Sequence, residues 1–254
     1  MKSDPGAIVG LTLLAALLAA AAPARAEDAA ASCDVPAYLL ATESVLPKVA
    51  DAIKSGHPLD ILVVGSRSST INNTSDASAY PGRLEAALKA KLPAVAVNVS
   101  VEIQAKKTAE EVAAGIVKLV EAKKPTLVIW QTGTVDAMRS VDPDDFRGAV
   151  DEGVAALQNA GADVIMMNLQ YSPRTETMIS APPYLDNMRV VAQQHDVPLF
   201  DRFAIMRNWS DTGDFDLFSA SHGIDLAKRV HDCLARALSK FVIDAAHLEP
   251  SQQN

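Results

Sequence analysis

Apolar residues follow two rhythms along this chain. Apolar segments of strand length fall at 61–64, 95–103, 126–130 and 164–167, with a fifth at 197–200. Between them apolar positions recur every three or four residues. Val112, Ile116, Leu119 and Val120 form one such stripe, and Phe146, Val150, Val154 and Leu157 form another. The strongest runs through Leu226, Val230, Cys233, Leu234, Ala237, Leu238 and Phe241. Strands that alternate with amphipathic helices need crossover connections, which give a parallel sheet covered on both faces. The pattern therefore predicts an α/β fold, a three-layer αβα sandwich around a mostly parallel five-stranded sheet. Asp142-Pro143 opens one helix and Gly161 follows another.

Two loops are longer than connection alone requires, 66–79 and 170–183, and the second carries Tyr171, Arg174 and Met178. Both follow predicted strands, on the side of such sheets where ligands bind. The first 26 residues stand apart. Lys2, an apolar run over 7–22 and Ala24-Arg25-Ala26 match a secretory signal peptide cut before Glu27. The expected organisation is a signal peptide at 1–26, an N-terminal segment and helix at 27–57, the α/β domain at 58–246 and a disordered tail at 247–254.

Removing the leader takes away Lys2, Asp4 and Arg25, leaving 21 basic against 30 acidic residues, a net charge of −9. That balance argues against nucleic acid and anionic membranes as partners. It leaves small molecules and glycans open. No His/Cys/carboxylate spacing suggests a metal, and neither a P-loop nor a dinucleotide fingerprint is present, so no cofactor is expected. Cys33 and Cys233 are an even pair in a chain expected to be exported to the periplasm or beyond, which suggests a disulfide. Two unpaired thiols, with Cys233 simply on an apolar helix face, are the alternative.

The chemistry concentrates where the first strand ends, in Gly65-Ser66-Arg67-Ser68-Ser69-Thr70. A strand stopping at glycine before small hydroxyl residues puts a serine at the carboxyl edge of the sheet, where backbone N–H groups converge. Further on come Tyr80-Pro81-Gly82-Arg83-Leu84 and Trp130-Gln131-Thr132-Gly133-Thr134-Val135-Asp136. This block order resembles the SGNH, or GDSL, hydrolases over residues 59–238. The resemblance implies a flavodoxin-like SGNH fold with Ser68 as nucleophile, Ser66 and Ser69 being the alternatives. It also implies an oxyanion and substrate site built from Gln131, Gly133, Thr134 and Asp136.

The chain departs from the family pattern at three places. Val135 stands where the family has an asparagine donor, and loss of one oxyanion donor costs about 3 to 4 kcal/mol of transition-state stabilisation. The stretch Gln104-Ala105-Lys106-Lys107-Thr108 lacks the usual glycine, although a backbone N–H survives such a change. In His222-Gly223-Ile224-Asp225 the acid and histidine are exchanged relative to the family's Asp-x-x-His. A shifted alignment makes His222 the base with Asp216 or Asp214 orienting it, and His231 is the other candidate, although its spacing reads as a partly buried helix residue. His57, His195 and His247 read as surface residues. Two functions follow from the resemblance: an exported serine esterase or deacetylase acting on a glycan or small acyl ester, or a noncatalytic envelope protein that keeps the fold and binds.

Overall fold

Each expected strand forms, and each pairs in parallel. The computed structural model describes residues 33–72, 77–218 and 223–247. The expected leader, His222 and the tail from residue 248 lie outside these. The strands are β1 (Leu59–Gly65), β2 (Val97–Ile103), β3 (Leu127–Gln131), β4 (Asp163–Met167) and β5 (Leu199–Phe200). The helices of the described residues are α1 (Pro47–Ser55), α2 (Tyr80–Lys91), α3 (Ala109–Lys123), α4 (Thr134–Arg139), α5 (Pro143–Asn159), α6 (Pro173–Met178), α7 (Pro182–Gln194), α8 (Arg202–Asp211) and α9 (Gly223–Ala245).

Strand order is β2-β1-β3-β4-β5, with Ile61 opposite Leu127 and Leu59 opposite Val97. The chain steps outward from β1 to β2 and then returns past β1 to β3. Right-handed crossovers therefore place α2 on one face and α3, α5 and α7 on the other. Packing of α2 against α9, and of α5 against α3 and α7, completes the three layers. Central strands β3 and β4 are buried at every position, as continuous apolar runs require. Edge strand β2 instead turns Asn98, Ser100 and Glu102 toward partial exposure. The fifth strand is shorter than its apolar run, because Asp201 leaves the ladder to cap α8 through the Ala204 N–H.

Two devices tie the elements together. At the amino end of β4, the Asp163 carboxylate accepts from the N–H groups of Lys48 and Val49, capping α1 at 2.9 and 3.0 Å. Cys33 and Cys233 form the expected disulfide, with Cα atoms 5.0 Å apart, and clasp the segment before α1 to α9. Among the described residues no helix is long and apolar enough to cross a membrane.

Candidate active site

The switch in strand order between β1 and β3 opens a crevice at the carboxyl edge of the sheet, the position at which open α/β sheets bind ligands. Both flanking strands deliver polar residues there. After Gly65 the chain coils through a 3-10 turn, Arg67–Ser69, which brings three serine hydroxyls toward the end of β3. Gly65 is obligatory, since a Cβ there would collide with Ser69 Oγ.

Gln131, the last residue of β3, organises the hydroxyls. Its Nε2 donates to Ser66 Oγ and to Ser68 Oγ, each at 2.8 Å. Its Oε1 accepts from Ser69 Oγ at 2.5 Å and from Tyr80 OH at 3.4 Å. The amide thus uses both donors and its acceptor, and Gln131 is fully committed. Ser69 is entirely buried and linked to both Gln131 and Tyr80, so a substrate cannot reach it. Ser66 and Ser68 are half-buried, with their Oγ atoms 3.2 Å apart.

Ser68 has one further donor. Arg202, the first residue of α8, sends Nη1 to Ser68 Oγ at 3.2 Å. Its side chain is 1% exposed, and among the described residues Nε and Nη2 find no hydrogen-bond partner. Burial pulls its pKa down to about 10, so it remains a cation at neutral pH.

The remaining candidates divide. Gln131, Gly133, Thr134 and Asp136 line, with Ser66, a hollow of about 10 Å³, the room of one water. Gly133 holds φ at +93°, and a side chain there would strike Leu169, so only glycine fits at the entrance to α4. Thr134 accepts from the Gln170 N–H at 3.4 Å. Asp136 is buried and accepts from the Ala109 N–H at 2.8 Å, which caps α3. Burial raises its carboxyl above the usual range, opposed by backbone N–H groups that include Gly133's own. Asp136 therefore fixes the turn, and its charge sits over the Gly133 amide.

No described histidine hydrogen-bonds Ser68. His231, on α9, is buried, lines the same cavity as Ser68, and accepts from the Tyr80 N–H through Nδ1 at 2.9 Å. In the neutral ring the proton then resides on Nε2, so His231 presents a donor to its surroundings instead of a base. Burial, with Arg202 and Arg83 nearby, depresses its pKa to about 4. Asp216 is exposed and accepts from the Phe218 N–H at 3.1 Å. His222 lies outside the described residues, but Leu217 and Gly223, on either side of it in the chain, both line the Ser68 cavity. His195, expected at the surface, is half-buried and bonds Asp151 at 2.8 Å, away from the site.

Arg202, Tyr80 and His231 are the site residues that sequence patterning undervalued. The Tyr80 block was visible as a motif, and His231 fell on the apolar face of its helix. Arg202 carried a single signal, a basic residue two positions past the last strand, where the sheet edge forms its ligand crevice.

Solved structures support the fold. An acetylxylan esterase from Geobacillus stearothermophilus superposes with a TM-score of 0.59 at 16% identity, over 76% of this chain and 96% of that one. A psychrotrophic esterase, EstA, from Pseudoalteromonas sp. gives 0.56 at 15% identity, over 72% of this chain and 97% of the other. AlinE4, an SGNH-hydrolase family esterase, gives 0.52 at 18% identity, over 63% and 82%. At these identities the likeness is one of fold. No curated protein matches the chain. The non-GDSL lipase-like family matches residues 32–248, nearly the whole described molecule with both cysteines and every element of the crevice. The switch-point serine, the Gln131 amide that holds it and this match agree: the chain belongs to the non-GDSL lipase-like family, on an SGNH-type scaffold.

Proposed function

We propose that this protein is an exported serine esterase acting on acyl esters of a small molecule or glycan, with Ser68 as nucleophile. The observation that carries the reading is the position of Ser68 Oγ. It sits at the switch point, held by the Gln131 and Arg202 donors, on the border of two cavities. In the proposed reaction the Ser68 O–H bond breaks, its oxygen adds to the ester carbonyl carbon, and its proton passes to a base. That proton then goes to the departing alcohol, and water hydrolyses the acyl-serine by the reverse sequence. His222 is the proposed base, oriented by Asp216 or Asp214. The approach of Leu217 and Gly223 to the Ser68 cavity supports it. Gln131 Nε2 and Arg202 Nη1 already converge on Ser68 and, on exchanging a serine hydroxyl for the substrate oxygen, are with the Ser68 amide the proposed donors to a developing oxyanion. The disulfide fits an oxidising compartment and so supports export; the mature N-terminus proposed from the leader sequence, Glu27, is tested by mass analysis of exported protein.

A fluorophosphonate probe needs an activated serine and no known substrate. Labelling of wild type, lost in Ser68→Ala and His222→Ala but kept in Ser66→Ala, is the expected result. One observation favours a second reading, a noncatalytic binding protein. His231, the described histidine that lines the Ser68 cavity, spends Nδ1 on the Tyr80 N–H. Absence of labelling in folded wild type would establish that reading in place of the first.

A further inference from the structure

A buried guanidinium normally has a carboxylate beside it, because an unpaired ion in the interior costs several kcal/mol. Arg202 is 1% exposed, yet two of its three nitrogens lack a hydrogen-bond partner among the described residues. Its one bond goes to a neutral hydroxyl, that of Ser68. It lines a cavity of about 180 Å³ together with Ser68, Tyr171, Ser172 and His231, and no described acidic residue lines that space. His231 adds a second donor there, since Nδ1 is occupied as an acceptor. Leu226, Val230 and Leu234 supply apolar wall, which strengthens any charge interaction inside.

Ser68 also borders a second, larger space of about 650 Å³, with Val135, Met138 and Gln170 on its surface. Ser68 lies on the border of both spaces, so an ester attacked by it can place its acyl side in one and its alcohol side in the other. The smaller cavity, at about 180 Å³, is suited to a short acyl chain. The larger one has room for the alcohol or sugar.

We propose that the small cavity is an acyl site for anionic chains, in which the distal carboxylate of a short dicarboxylic hemi-ester supplies the missing counter-ion of Arg202. This rests on the esterase reading and names its substrate class. A succinyl group has the required reach. Its carbonyl carbon must touch Ser68 Oγ, and its carboxylate, two carbons further on, then falls near a guanidinium that is itself 3.2 Å from that oxygen.

The test compares monoethyl succinate with its neutral amide counterpart, ethyl succinamate, using the oxidised full-length protein. Calorimetry separately measures succinate binding to Ser68→Ala, which requires no turnover. The expected kcat/KM ratio favours the hemi-ester by about tenfold or more, the scale of a charge-assisted hydrogen bond, and collapses toward one in Arg202→Met. Succinate binding to Ser68→Ala is expected to vanish when Arg202→Met is added. Should that variant not fold, Arg202→Lys keeps the charge, loses the fork, and is expected to lower the ratio and binding only partly. Equal rates for the two esters, or succinate binding indifferent to Arg202, overturn the anionic site and leave the esterase reading standing. Arg202-dependent binding in a protein that cleaves neither ester and takes up no fluorophosphonate probe supports the site and overturns the esterase reading. Failure to bind succinate at all overturns the proposal.

Discussion

Gln131 shows how one side chain can set a whole site. With Nε2 shared by Ser66 and Ser68 and Oε1 taken by Ser69 and Tyr80, its loss would orphan buried hydroxyls on both sides. Gln131→Leu should therefore destabilise the protein by about 1 to 3 kcal/mol in urea unfolding and reduce probe labelling, because Ser68 loses its strongest anchor. His231 makes a pH-dependent prediction. Its pKa falls from 6.5 to about 4 on folding, so the unfolded chain takes up the proton first as pH drops. The stabilisation is complete above about pH 6.5 and is lost progressively toward pH 4, by up to about 3 kcal/mol. His231→Asn keeps an acceptor for the Tyr80 N–H but cannot titrate, so its stability should change less than that of wild type over this window. At this scale the sequence was only partly informative. Gln131 and the serine cluster could be found because they flank recognisable strands. Arg202 could not, since a lone arginine after a strand looks the same whether it faces water or lies buried without a counter-ion.

The elements were far more readable, for a physical reason. Burial of both sheet faces imposes unbroken apolar runs, and crossovers impose helical stripes, so β1, β3, β4 and their helices declare themselves, while edge strand β2 shows through its apolar–polar alternation. The end of β5 did not, because hydrogen bonds at a capping aspartate, not hydrophobicity, decide it. Helix α4 bears on function through Val135, which lines the groove shared with Ser66 and Ser68. A donor at this position would line the same groove as Ser68. If the esterase reading holds, Val135→Asn should raise kcat on a short aryl ester, by up to about a hundredfold, with little change in stability. Unchanged kcat would show that Gln131 and Arg202 already fill the donor role. At the opposite end of the sheet, Asp163→Ala removes both caps of α1 and should cost about 1 to 2 kcal/mol without touching activity.

For the molecule as a whole, the largest single constraint is the bond between Cys33 and Cys233. It closes a loop with a sequence separation of 200 residues. Chain-entropy treatment assigns such a closure about 5 kcal/mol, so reduction by dithiothreitol should lower Tm by many degrees while the fold persists. Unchanged Tm on reduction would mean that α9 is held entirely by its apolar face. The same bond also has a consequence in time. A ribosome adds about 5 to 20 residues per second, so Cys33 is made at least about ten seconds before its partner. Through that interval its thiol has no native partner, while β1 to β5, all lying between the two cysteines, are already being synthesised. The bond therefore acts as a latch on completed molecules: a chain truncated anywhere before Cys233 leaves Cys33 without its native partner.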